Sequence, residues 1–183
     1  VLDMGQNLAG FPEITVRGKK GQKITLLVSE SLTDEGACNQ RQTGRQHYYE
    51  YTLKGEGVET WHPRFSYYGF RYIQVEGAVL KGQKNPHRLP VIQKIQSCFV
   101  YNSAPKVSTF QCSNRIFNEA HRLIEKAVRS NMQSVFTDCP HREKLGWLEQ
   151  DHLCGPGLLY NYDLTGFLPQ TLQNIADAQH ANG

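Results

Sequence analysis

The fifteen residues Thr137 to Asp151 hold most of the side chains able to do chemistry: four carboxylates (Asp138, Glu143, Glu149, Asp151), His141, Arg142 and Trp147. Cleaving a glycosidic bond needs one carboxyl that delivers a proton to the leaving oxygen and a second carboxylate for water or the anomeric carbon. Glu143 is the candidate acid. Arg142 beside it can orient a carboxylate or grip two hydroxyls at once. Asp138 is a good acceptor for sugar hydroxyls, and Trp147 offers a flat ring to stack on a sugar. A general acid must keep its proton near neutral pH, which burial or a neighbouring like charge achieves; Asp138 is such a neighbour. A plain structural reading fits the same residues: Asp138 capping a helix, Arg142 and Glu143 paired on the surface, and Trp147 in the core. Residue types and spacing leave both readings open.

Other chemistries have less support. There is no Gly-rich phosphate loop, GxSxG or HExxH. Cys139 and His141 match a nucleophile and base in composition only, with Pro140 between them. His141, His152 and the nearby carboxylates have no metal-ligand spacing, so neither a metal nor any other cofactor is expected.

The elements around this stretch change character along the chain. Up to about residue 102 the pattern is β. Glu13–Arg17, Lys23–Glu30, Tyr48–Leu53, Phe65–Val75 and Ile95–Tyr101 are candidate strands, separated by Gly-rich turns. Short strands without helical period between them imply an antiparallel β-sandwich. Residues 32–46 are polar and read as a long loop. The aromatics of Trp61 to Tyr72 suit either packing or sugar stacking. Ser103 to Lys106 breaks the pattern, which divides the chain into a β module over 1–103 and a helical part over 104–183.

From Ser113, a candidate cap, the period becomes helical. Ile116, Phe117, Ala120, Leu123, Ile124, Ala127 and Val128 form one stripe. A second helix over Glu149 to Tyr160 is expected to break at Gly155-Pro156-Gly157. A third is expected to be capped by Asp163, with Leu164, Phe167, Leu168, Thr171, Leu172, Ile175 and Ala176 on its face and Pro169 in its first turns. Three such stripes do not close a core. The chain also begins at Val1 and stops directly after a strong helix, so it reads as an internal fragment of a longer protein.

Composition narrows the classes. An apolar fraction of 39% and a charged fraction of 20% fit a globular chain. A net charge of +3 without a long Lys/Arg run gives no nucleic-acid groove. No window approaches the ~20 apolar residues of a membrane helix. The five cysteines (Cys38, Cys98, Cys112, Cys139, Cys154) lack disulfide or zinc spacing and leave the compartment open: cytoplasm, periplasm or outside the cell.

The run Thr137-Asp138-Cys139-Pro140-His141-Arg142-Glu143-Lys144-Leu145-Gly146-Trp147 resembles the signature of bacterial α-L-rhamnosidases, glycoside hydrolase family seventy-eight. The likeness extends to Asp3–Gly10, Thr52–Gly55, Pro63–Phe65 and Gly69–Tyr72, which resemble the β-sandwich module preceding that family's catalytic domain. Phe110–Asn114 resembles the entry to its catalytic helices. The resemblance implies a sandwich followed by the first helices of a six-hairpin α/α toroid, with terminal α-L-rhamnosides in glycans or glycosides as substrates and hydrolysis that inverts the anomeric centre. It implies Glu143 as general acid, Asp138 and Arg142 as sugar-binding residues, and Trp147 as an aromatic lining the site. The family often places an Asp four residues after the motif Gly. Here Gln150 stands there, flanked by Glu149 and Asp151, and none of the three is assigned. The family's general base is a later Glu, not matched within this chain. Some members bind calcium, for which no ligand set is present.

Three alternatives stand beside this reading. One is a non-catalytic carbohydrate-binding protein using Trp61, Tyr67, Tyr68 and Tyr72. Another is an interaction module built on the helical stripes. The third is a different glycosidase on the same toroid.

Overall fold

Among the described residues, the apolar alternation of the first hundred positions yields seven strands. The computed structural model describes residues 1–44 and 46–183; Arg45, in the expected loop over 32–46, lies outside the described residues. The strands are β1 (Leu2–Arg17), β2 (Lys23–Ser29), β3 (Tyr48–Thr52), β4 (Val58–Trp61), β5 (Tyr68–Glu76), β6 (Val79–Leu80) and β7 (Val91–Phe99). They form one sheet in the order β3-β2-β5-β1-β7-β6, with β4 also paired to β1. Of these pairings, only β6 with β7 is parallel.

β1 makes this topology. Its first part pairs with β5, from Leu2 opposite Ile73 to Gly10 opposite Tyr68. Its second part pairs with β4, from Ile14 opposite Trp61 to Arg17 opposite Val58. β7 runs along the other edge from Gly10 onward. The sheet therefore forks at β1 into two limbs. Tyr51 of β3 stacks on Trp61 of β4 with ring centroids 4.9 Å apart, although these strands lie on different limbs. The limbs thus fold over a shared core that includes Ile14, Val16, Ile24, Leu26, Val28, Phe70, Ile73 and Ile92. This closes the expected sandwich out of one hydrogen-bonded sheet.

Several strand limits differ from expectation. β1 begins at Leu2 rather than Glu13, because pairing with β5 overrides the turn-prone Gly5, Gln6, Asn7 and Gly10. β5 begins at Tyr68 rather than Phe65, and Phe65 is fully exposed. β4 and β6 are too short to announce themselves by period.

Two compact units are present. One comprises Val1–Val100 with Pro140–Arg142, the other Tyr101–Cys139 with Glu143–Gly183. The second contains α1 (Arg115–Asn131), α2 (Leu148–Asn161) and α3 (Phe167–Ala178). Asn114, not Ser113, caps α1: its Oδ1 accepts the Ile116 N–H at 2.9 Å. Asn114→Ala should lower the unit's stability by about 1 kcal/mol, read as a fall in melting temperature. α2 runs unbroken through Pro156; the helix tolerates the missing proline N–H where the sequence pattern suggests a break. Asp163 does not cap α3. Its Oδ1 accepts the Thr165 N–H and O–H at 3.0 and 2.6 Å, holding the turn before the helix, and Gly166 occupies the cap position.

The core of this unit is small: Met132, Phe136, Leu158, Tyr162, Leu164 and Phe167. Most of its members lie in connections and at helix ends. Val128 packs against it from the C-terminal end of the α1 stripe, whereas Ile116, Phe117, Leu123 and Ile124 are exposed. Among the described residues no helix is long and apolar enough to cross a membrane.

Candidate active-site loop

The loop between α1 and α2 is fastened at its entrance. Thr137 is buried, donates its backbone N–H to the Asn131 carbonyl at 2.9 Å, and hydrogen-bonds the Asn131 side chain through Oγ1 at 3.0 Å. Asp138 then closes the loop on Leu145. Its N–H donates to the Leu145 carbonyl, and its Oδ1 accepts the Leu145 N–H, both at 3.0 Å. Asp138 is therefore a loop clamp and not a helix cap.

Cys139 adds a second fastening, which sequence reasoning missed. Its thiol lies 3.6 Å from Asp138 Oδ2 as donor and accepts the Glu143 N–H at 3.3 Å. Its value is the short reach of a sulfur placed one residue from the aspartate, a signal visible only once the loop is folded. Lys144 turns the chain in the left-handed region, with φ of +56°. Gly146 then passes close to α1's end, where a Cβ would lie 2.9 Å from Val135 Cγ2. Trp147 follows at the N-terminal boundary of α2 and is about half exposed, so it is not a core indole.

Glu143 is exposed, with its backbone N–H held on Cys139 Sγ at 3.3 Å. Burial pushes the Asp138 acid up, but the N–H groups of Leu145 and Cys139, together with the Glu143 side chain, outweigh it and hold the carboxyl below its ordinary value.

The three residues Pro140–Arg142 belong to the sheet unit. Arg142 is exposed there, its stem running over Gly44, where a Cβ would sit 3.8 Å from Arg142 Cγ. Of the three unassigned residues after the motif, Glu149 is exposed, while Gln150 Oε1 and Asp151 Oδ1 are buried without a hydrogen-bond partner among the described residues. Asp151 lines a cleft of about 510 Å³ with Val135, Gly146, Leu148 and Ile175, and burial pushes its carboxyl up. Among the described residues no three His, Cys, Asp or Glu side chains gather as metal ligands.

The aromatic cluster of the sheet is largely engaged in packing. Trp61 has a face on Tyr51, and Tyr68 stacks on His47 at 4.2 Å between centroids. Both pack against the sheet core.

Residues 1–101 match the family model of the bacterial α-L-rhamnosidase concanavalin-like domain, and residues 105–183 match that of the bacterial α-L-rhamnosidase six-hairpin glycosidase domain. An α-L-rhamnosidase of Formosa agariphila is 33% identical over 181 residues, covering 96% of this chain and 18% of that protein. The crystal structure of Streptomyces avermitilis α-L-rhamnosidase complexed with L-rhamnose superposes with a TM-score of 0.83 at 32% identity, over 98% of this chain and 17% of that one. The α-L-rhamnosidase of Aspergillus terreus gives 0.81 at 36% identity, over 94% and 19%. The chain thus spans less than a fifth of the length of these relatives.

Proposed function

The chain belongs to the bacterial α-L-rhamnosidase family, and from that premise we propose that it supplies the proton-donating half of a site for inverting hydrolysis of terminal α-L-rhamnosides. Glu143 is the general acid. The observation that carries this is the loop that fixes Glu143 beside Asp138: the Glu143 N–H is held on Cys139 Sγ at 3.3 Å, and Asp138 Oδ1 takes the Leu145 N–H at 3.0 Å. Such a donor is held where it can turn from the aspartate to the glycosidic oxygen, so that the leaving group departs as an alcohol.

Asp138 then accepts sugar hydroxyls with its free lone pairs, Arg142 binds hydroxyls through its planar fork, and the exposed face of Trp147 stacks on the ring. The carboxylate that activates water lies outside residues 1–183. No cofactor takes part in this scheme. The β module is assigned to 1–103 and the helical catalytic part to 104–183. The substrate class follows the relative from Streptomyces avermitilis, whose structure is a complex with L-rhamnose.

Proton NMR of a rhamnoside digest by the protein at its natural length tests this reading. The expected first product is β-L-rhamnose, which then mutarotates. An α-anomer appearing first, or no L-rhamnose at all, would overturn it.

A further inference from the structure

The motif's central residues are held by the sheet unit, through side chains that neither the motif nor the proposed reaction accounts for. Glu30 follows β2. Its Oε1 accepts a hydrogen bond from Asn7 Nδ2 of β1 at 2.8 Å. Its Oε2 lies 3.2 Å from His141 Nδ1, within ion-pair range, and both side chains are about four-fifths buried. Gly69 of β5 completes the seat. A Cβ built there would lie 2.8 Å from Pro140 Cγ, 3.0 Å from Glu30 Oε1 and 3.1 Å from His141 Cβ. Pro140 is buried. Two strands and the residue after a third thus converge on two consecutive motif residues, and Arg142 is the next residue along.

Side chains on rigid strands hold a loop more tightly than loop contacts do. A carboxylate of this burial would be better solvated at a strand edge, and a strand glycine costs backbone entropy unless something approaches it closely.

We propose that Asn7, Glu30 and Gly69 are positioning residues that set Arg142 for its sugar. This rests on the rhamnosidase reading above. A contact serving only stability would lower the melting temperature and leave the substrate constants of the folded protein unchanged.

The test uses the protein at its natural length, with 4-nitrophenyl α-L-rhamnopyranoside as substrate. Glu30→Gln keeps the shape and the Asn7 contact while removing the charge opposite His141. Glu30→Ala removes both, and Gly69→Ala drives a methyl into Pro140. Misplacing a binding group by a fraction of an ångström costs about ten- to hundredfold. The expected result is a KM raised by that factor in Glu30→Ala and Gly69→Ala, and by less in Glu30→Gln, with kcat far less affected. In an Arg142→Ala background the Glu30 substitutions should add little further loss, since contacts acting through one group are non-additive. Unchanged KM in folded Glu30→Gln and Gly69→Ala proteins overturns the proposal, as does full additivity with Arg142→Ala. Parent protein that releases no nitrophenol overturns the rhamnosidase reading itself, and the positioning role falls with it.

Discussion

Glu143→Gln should slow hydrolysis of rhamnosides with sugar or alkyl leaving groups by about 10²–10⁴-fold, the usual contribution of a positioned proton donor. The same protein should lose little on 4-nitrophenyl rhamnoside, because nitrophenolate departs without being protonated. The contrast is the diagnostic feature. Gln keeps the length and hydrogen-bonding capacity of Glu143, and the Glu143 N–H still reaches Cys139 Sγ at 3.3 Å, so the loop keeps its form. Equal losses on both substrates would show a damaged loop rather than a missing proton. No loss on either would remove Glu143 from the acid's role.

Asp138 substitutions should have the second-largest effect, and Ala and Asn divide it into two parts. Asp138→Ala removes the Oδ1 acceptor that takes the Leu145 N–H at 3.0 Å. It also removes the charged neighbour of Glu143 and the proposed sugar acceptor. Hydrogen bonds to a charged group contribute roughly 1.5–3 kcal/mol each, so kcat/KM should fall by about 10²-fold or more. Asp138→Asn retains an acceptor for Leu145 and should keep the loop closed, so its loss reports the charge alone.

The carboxyl also predicts a pH effect. Its folded acid constant lies below the ordinary 3.8. Its contribution to stability is therefore complete above that value and disappears as the pH falls through the lowered one. Melting temperatures recorded over roughly pH 5 to 2 should fall less steeply in Asp138→Asn than in the parent. Parallel curves would show that the charge contributes nothing to folding.

Much of the architecture is legible in the residues. The change from alternation to a three-to-four period near Ser103–Lys106 separates strands from helices, and it depends only on which side chains are apolar. The stripe of α1 is visible for the same reason, and all but its C-terminal end, where Val128 meets the helical core, stays largely exposed. The motif's chemistry is legible because carboxylates, an arginine and an indole in one short stretch carry their properties wherever they are placed.

Pairings between distant segments are not legible. β1 reads as half a strand until β5 supplies partners for Asp3 and Leu8, and β4 is recognisable only through Ile14 and Trp61 opposite each other. The cap of α1 moves from Ser113 to Asn114 because backbone direction, not residue preference, decides which oxygen faces the free N–H of Ile116.

The motif itself divides in the same way. The sequence by itself determined which groups it offers: a candidate acid, its charged neighbour and a stacking ring. Tertiary structure alone decided that Cys139 braces the turn and that Glu30 meets His141 from more than a hundred residues away. The physical reason is range: ionisation and polarity belong to a side chain, whereas a hydrogen-bond partner exists only after the chain has brought two remote segments within about 3 Å of each other.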